Sequence, residues 1–548
     1  MLEKDDSLLK EVRRREKAKE QKREQAKEQE KKRAKELEND PKTEAYSRYI
    51  GINRAVNPGI RVLIDFLSFY FEPNVTRANH FSWDEVENKI KDIVICKEES
   101  ESVREGLYRA IYEWIRSYAT FNPIDGKNTQ VYLLPLTPGM ILTDTNARDS
   151  VRNILNYMLY EGYKREEQEK LYYEIQEKLF ALLYSPDARR GGYEELLNIL
   201  AIMFDESDTI QRKFDDVTEK PYVLEWKSDK LAQDFRQDFF NLIENRYIYS
   251  EDIFKKINEL NILLNFYIVR YMVCRSFEEE PNFIFAKGAL NMQPDGKIHT
   301  AAVGNYANIR ERTYKVSEKY YCNLLNTINK TDQKLVLDSG TDAQGTHLKL
   351  FMNKIDIWPD VRNNIFRIKK GYLRENEAEN AFRIEDMLLN YLGGREKRIE
   401  TSNREVAYAC MEISKKRSSS VRRVSAVFSS QGKECYFAYP IGRVQQKYYV
   451  MSPQLTEVLV HLFLQEQEDE CGTLEMLYQW LEEKYSIYIG YSKDLVRYLK
   501  NNAIEQPTQT DFDENQKAFI TTLQEINCIS KLSDNSYIIT FDGEAGRW

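Results

Sequence analysis

Histidine is scarce in this chain: His80, His299, His347 and His461 are the only four in 548 residues. None is near another in sequence, and none has metal-ligand spacing with cysteine or a carboxylate, so no histidine-based metal centre is legible. His461 falls among Leu459, Val460, Leu462 and Phe463 and reads as a partly buried packing residue. The seven cysteines (Cys96, Cys274, Cys322, Cys410, Cys435, Cys471, Cys528) are scattered and odd in number. No pair has metal or redox spacing, which points to buried thiols in a reducing compartment. The N-terminus lacks the apolar core of a signal peptide. The most apolar stretch, Asn261 to Cys274, is interrupted by Asn265 and Arg270, which argues against a membrane span. These absences predict a soluble, cytoplasmic protein with no resident metal or cofactor.

The opening segment is rich in charge. From Lys10 to Leu37 there are thirteen Lys/Arg and seven Glu, with almost nothing apolar. Glu16, Glu20, Glu24 and Glu28 recur every fourth residue, each with a base three positions on: Lys19, Arg23, Lys27 and Lys31. On a helix such pairs are neighbours and contribute a few tenths of a kcal/mol each. Pro41, after Asn39 and Asp40, ends the helix. Leu8, Val12, Ala18, Ala26, Ala34 and Leu37 are too few and too small for a coiled-coil seam. Residues 1–44 therefore read as a charged helix that projects into solvent or lies on something negative. The surplus of six positive charges between Lys10 and Leu37 contrasts with 67 bases and 81 acids in the rest of the chain, against an overall net charge of −8. A basic arm on an acidic body suggests contact with nucleic acid or with an acidic partner surface.

Hydrophobic content of 42% and aromatic content of 12% are ample for packed cores, and the length suggests about three or four domains. Residues 45–185 read as a helical domain. Ser82-Trp83-Asp84-Glu85 and Ser102-Val103-Arg104-Glu105 are capping boxes. Val103, Leu107, Ile111, Trp114, Ile115 and Tyr118 make a core stripe at helical spacing. Val131 to Leu136 is a short extended segment, followed by helices over Ala147–Tyr160 and Glu166–Tyr184. Residues 186–280 form a second helical domain, its longest helix running from Ser250 to Cys274. Residues 281–452 read as a mixed α/β region. Phe283–Ala286, Leu335–Leu337 and Leu348–Phe351 are its expected strands, and the basic stretch Arg395–Lys433 its expected loops.

From about Pro453 the pattern is four helices (Leu455–Gln465, Thr473–Tyr485, Ser492–Asn502, Asp511–Cys528), then Ile529–Leu532, turn residues Ser533–Ser536 and the strand Tyr537–Phe541. A helix followed at once by a two-stranded hairpin is the outline of a winged helix, with residues suited to a hairpin tip. The run from Leu523 to Phe541 resembles the end of many winged-helix domains. The chain also resembles the long, uncharacterised helical proteins of anti-phage defence operons, which combine a helical body with a terminal winged helix of this kind. The usage of Lys, Glu, Asn, Ile and Tyr, with 14 prolines, fits a bacterial source.

Three residue sets could carry chemistry. Asp215, Asp216, Glu225 and Lys227 have the order of an Asp…Glu-x-Lys nuclease, in which carboxylates hold a divalent ion and the lysine stabilises phosphate charge. Helices flank this set, however, where that core needs several strands. Gly340 to Gly345 has the glycine spacing of a phosphate loop, but Thr346 and His347 stand where its lysine belongs. The third set is basic. Lys415, Lys416, Arg417, Arg422 and Arg423 cluster in sequence, Lys493, Arg497 and Lys500 share one helix face opposite Leu495, Val496 and Leu499, and Lys531 lies in the wing. Such residues can neutralise phosphates.

The expected fold is mainly α and multidomain: a charged N-terminal helix, a helical body, a mixed α/β middle and a winged-helix-like C-terminal domain over 453–548. The expected function is a non-catalytic adaptor or scaffold subunit of a bacterial DNA-handling complex, with other subunits and DNA as partners. The alternatives are the nuclease and a winged-helix transcriptional regulator.

Overall fold

The computed structural model describes residues 61–71, 81–97, 100–120, 130–141 except 132, 152–185, 194–204, 213–214, 227–244, and 253–328 except 279 and 293–295. It further describes 335–338, 398–401, 404–405, 407–408, 411–412, 428–467 except 430–431 and 441–445, and 471–540 except 534–535. Among these residues helix predominates. The expected charged helix over 1–44 and the expected strand at Leu348–Phe351 lie outside them.

The first half comprises α1 (Arg61–Leu67), β1 (Phe81–Ser82), α2 (Trp83–Lys97), α3 (Glu101–Trp114), β2 (Gln130–Val131), α4 (Arg152–Tyr160), α5 (Arg165–Leu183), α6 (Glu194–Phe204), α7 (Asp229–Ile243) and α8 (Ile253–Phe277). β1 and β2 pair antiparallel. Helix α2 starts directly after Ser82, as the first capping box predicts. The second box is displaced. The N-cap of α3 is Ser100, with no side-chain cap bond, so Ser102 lies inside the first turn. The stripe on α3 is also only partly core: Ile111 and Ile115 are buried, whereas Val103 and Tyr118 are 50% and 60% exposed. The first turn of the helix stands clear of the core, while Leu107, Tyr108 and Trp114 pack against it part-buried.

Helix α8 is the axis of the body. It packs against α1, α4, α5 and α7, and most of its residues are buried on all sides, including Glu259, Asn261, Asn265, Arg270 and Arg275. A helix buried all round has no solvent face to show in its pattern. Asn265 is bonded within the helix, its Nδ2 donating to the Asn261 carbonyl at 2.7 Å. Among the described residues no helix is long and apolar enough to cross a membrane.

The middle region contributes β3 (Ile284–Lys287), α9 (Lys297–Ile328), β4 (Leu335–Asp338), β5 (Arg398–Thr401), β6 (Ala438–Tyr439) and β7 (Tyr448–Val450). β4 and β5 pair antiparallel, Leu335 with Thr401 and Asp338 with Arg398. Arg398–Thr401 is therefore strand where loop was expected. Its polar sequence carries no strand pattern, and the pairing partner lies some sixty residues earlier.

The C-terminal segment adds α10 (Pro453–Gln465), β8 (Gly472–Thr473), α11 (Leu474–Tyr485), β9 (Ile487–Tyr488), α12 (Lys493–Asn501), α13 (Gln509–Glu525), β10 (Ile529–Lys531) and β11 (Tyr537–Ile539). Three helix starts are capped by side chains: Ser452 accepts from Leu455 N–H, Thr473 from Met476 and Thr508 from Asp511. Each satisfies one of the unbonded amides of a first turn. The hairpin β10–β11 adds β8 on the β11 side.

β3 lies at the centre of a second sheet, parallel to β7 on one side and to β9 on the other, with β6 antiparallel on the outer edge of β7. All four β3 residues are buried, as parallel strands covered on both faces are. Asn515 of α13 accepts from Gly288 N–H at 2.8 Å and donates to the carbonyls of Ala286 (2.9 Å) and Ile489 (2.8 Å). Thr522 donates to the Gly288 carbonyl. A Cβ on Gly288 would stand 2.1 Å from the Asn515 carbonyl oxygen, so only glycine admits this approach. The β3–β9 pairing and these bonds run across the position 452/453.

Candidate functional site

Helix α12 owes its orientation to a strongly two-sided sequence. Leu495, Tyr498 and Leu499 are buried. The Tyr498 ring stacks on Phe283 with centroids 5.0 Å apart, and its hydroxyl donates to Asn308 Oδ1 of α9 at 2.8 Å. The opposite face carries Lys493, Arg497 and Lys500, all exposed. Arg497 reaches Asp494 at 3.2 Å, but both side chains are about 70% exposed, and such a pair contributes little. Its guanidinium can leave for a phosphate at small cost.

The other basic residues are not gathered here. Lys531 is exposed on β10, in a hairpin packed on α13. Lys415, Lys416, Arg417, Arg422 and Arg423 lie outside the described residues. Helix α13, which leads into the hairpin, carries Asp511, Asp513, Glu514 and Glu525 against one base, Lys517.

Of the nuclease set, Asp215, Asp216 and Glu225 lie outside the described residues. Lys227 is exposed, and its ammonium is held by the Glu161 carboxylate. The glycine loop over 340–347 is likewise outside.

Three polar groupings escaped sequence reasoning. In the first, Asp238 of α7 is fully buried. Tyr485 donates to it at 2.6 Å, Lys484 at 2.5 Å, and Tyr267 donates to the same oxygen as Tyr485. Lys484 also pairs with Glu466, which accepts from Trp480 Nε1 at 2.7 Å. Arg270 lies 4.7 Å over the Tyr485 ring and donates to the Lys484 carbonyl. Burial raises the Asp238 pKa, opposed by Lys484 and the hydroxyl donors. With donors on both oxygens, this carboxylate fastens α7, α8 and α11 together.

The second grouping is at the end of β3. Lys287 is 1% exposed. Its ammonium donates to the Met292 carbonyl at 3.2 Å, stands 3.5 Å from His299 Nδ1 and lies 4.6 Å over the Tyr448 ring. Among the described residues no carboxylate pairs with it, and burial lowers its pKa to about 8.

In the third, Glu259 of α8 and Glu457 and His461 of α10 bring one ligand-type atom each within 4.8 Å of one another, and these residues could hold a metal ion. Burial raises the Glu259 pKa to about 7, against the pull of Lys255, and lowers that of His461 to about 3. Glu457 and His461, four apart on one helix face, do have a ligand-type spacing, contrary to the sequence expectation, but nothing local marks Glu259 as their neighbour. No protein-family model and no curated protein matches this chain.

Proposed function

We propose that the chain is a non-catalytic scaffold subunit of a bacterial DNA-handling complex, of the kind found in anti-phage defence, and that it meets nucleic-acid phosphates through α12. The observation that carries this reading is the exposed row Lys493, Arg497 and Lys500, backed by a buried apolar face that lets the helix keep its place while those side chains stay in water. In the same reading residues 453–548 are a winged-helix-like unit. The succession α10, β8, α11, α13 and hairpin, with β11 pairing to β8, supports it; β9 and α12 are then insertions. Helix α13, which would stand in the recognition position, is acidic and turns Asn515 and Thr522 onto β3. That favours sequence-independent phosphate contact over base reading, and a scaffold over a regulator.

The test is a salt titration of duplex binding for the wild type and for the triple variant Lys493→Ala, Arg497→Ala, Lys500→Ala. Each phosphate neutralised releases counterions and adds about 0.9 to the log–log slope on B-DNA, so the triple variant flattens the slope by up to about 3. Equal slopes would remove α12 from the interface. Absence of binding at low salt would assign this face to a protein partner.

A further inference from the structure

The pairing of α8 with α10 contains an unusual carboxylate. Glu259 is 2% exposed, and neither of its oxygens accepts a hydrogen bond. A buried carboxylate without donors carries a large desolvation cost. His461 Nδ1 at 3.7 Å and Lys255 Nζ at 3.8 Å from Glu259 Oε1 are both beyond hydrogen-bond reach. The Lys255 ammonium is instead engaged by Glu457 at 2.6 Å.

The backbone makes this a rigid arrangement. Lys255 and Glu259 are four apart on α8, and Glu457 and His461 four apart on α10, so each pair projects from one face of its helix. The helices pack directly on each other. One carboxylate oxygen from each glutamate and one imidazole nitrogen lie within 4.8 Å of one another. Divalent transition metals take such O, O, N donors at about 2.0–2.2 Å, which separates the donors by roughly 3 to 4 Å. Side-chain adjustments of roughly 1 to 2 Å, shared between the donors, close the difference, since both glutamates have three rotatable side-chain bonds.

We infer that Glu259, Glu457 and His461 form a binding site for a divalent transition-metal ion such as Zn²⁺, clamping α8 to α10, with Lys255 as its gate. Two carboxylates and an imidazole compensate the ion and give Glu259 the partner it lacks. Lys255 is the resident cation. Its side chain is 36% exposed and that of Glu457 28%, so the ammonium can swing into solvent and leave the same opening for the ion and a water ligand. A mixed oxygen–nitrogen set suits Zn²⁺, Mn²⁺ or Fe²⁺ and disfavours Ca²⁺ and Mg²⁺, which prefer oxygen alone. The inference is independent of the nucleic-acid reading.

The experiment uses the full chain, stripped with a chelator. Zn²⁺ is titrated calorimetrically, and Co²⁺ serves as the optical probe. The expected result is one ion per chain, with visible Co²⁺ d–d bands and no thiolate-to-cobalt charge transfer. Glu259→Gln removes a ligand and also an unsatisfied charge, so its metal-free fold survives, as its circular dichroism checks. It is expected to weaken binding by about 100-fold or more, beyond the range seen for residues that only support ligands. Lys255→Gln removes the competing ammonium and is expected to tighten binding about tenfold, which a merely structural role for the cluster would not produce. Three outcomes would overturn the site: no uptake by the wild type, uptake equal in wild type and Glu259→Gln, or a spectrum dominated by thiolate charge transfer.

Discussion

Replacing Lys484 with methionine isolates the contribution of one buried charge pair. Asp238 is fully buried and the Lys484 side chain 12% exposed, so the pair is shielded from solvent screening. Removing one partner of such a pair costs about 3–5 kcal/mol, because the other charge stays buried and uncompensated. Asp238 keeps the hydroxyl donors of Tyr267 and Tyr485, which places the expected loss near the lower end, about 3 kcal/mol at neutral pH. At roughly 2 °C per kcal/mol for a large body, the thermal midpoint falls by about 6 °C. In an Asp238→Asn background no fully buried charge is left stranded, only the part-exposed Glu466, and the same lysine substitution is expected to cost about 1 kcal/mol, a coupling of about 2 kcal/mol. The pH dependence carries a definite sign. Burial raises the folded-state pKa of Asp238 above its unfolded value, and Lys484 opposes that rise. A raised pKa means that stability is complete below the unfolded value and is lost as pH rises through the folded one. Without Lys484 the folded pKa climbs further, so the penalty opens between the two folded values and is flat above the higher. The assay is the thermal midpoint by circular dichroism for the four members of the cycle at several pH values. Equal losses from the lysine substitution with Asp238 intact and in the Asp238→Asn background would refute the coupling.

Three further outcomes follow from single positions. Burial lowers the Lys287 pKa to about 8, so stability is full above the unfolded value near 10.4 and is lost as pH falls through about 8; Lys287→Met is expected to raise the midpoint at pH 7 and to flatten its rise between pH 8 and 10, and a midpoint lowered at pH 7 would contradict this. Gly288→Ala drives a methyl into the Asn515 carbonyl and the Phe519 amide, an overpacking expected to cost about 2–3 kcal/mol and to speed proteolysis between α13 and the sheet. Ser452→Ala removes the acceptor for Leu455 N–H at the start of α10 and is expected to cost about 1 kcal/mol in chemical denaturation.

Much of the local structure was written locally. The expected helix over Glu166–Tyr184 is α5 at Arg165–Leu183, that over Ser250–Cys274 is α8 at Ile253–Phe277, and Thr473 is the residue that caps α11. The hairpin pairs Ile529 with Ile539 and Lys531 with Tyr537, around the turn residues that marked it. Caps, 3.6-residue periodicity and turn preferences act within a few residues, so sequence alone suffices for them. The apolar backing of the basic row on α12 was legible for the same reason.

What sequence could not determine lies in contacts between distant segments. β9 has two residues and no pattern of its own; it is a strand because β3, two hundred residues earlier, offers it a parallel edge. Asn261 to Cys274 showed polar interruptions at Asn265 and Arg270, and only the packing of helices around α8 makes those residues interior. Asp238 meets Lys484 across 246 positions, and Glu259 faces His461 across the α8–α10 seam. Asp238, Lys484 and Glu259 each read alone as an ordinary helix-surface charge, and His461 as a packing residue. The composition, the helices and their ends are properties of the chain. The buried charges and the metal-type cluster belong to the tertiary structure, because burial and juxtaposition exist only when both helices are in place.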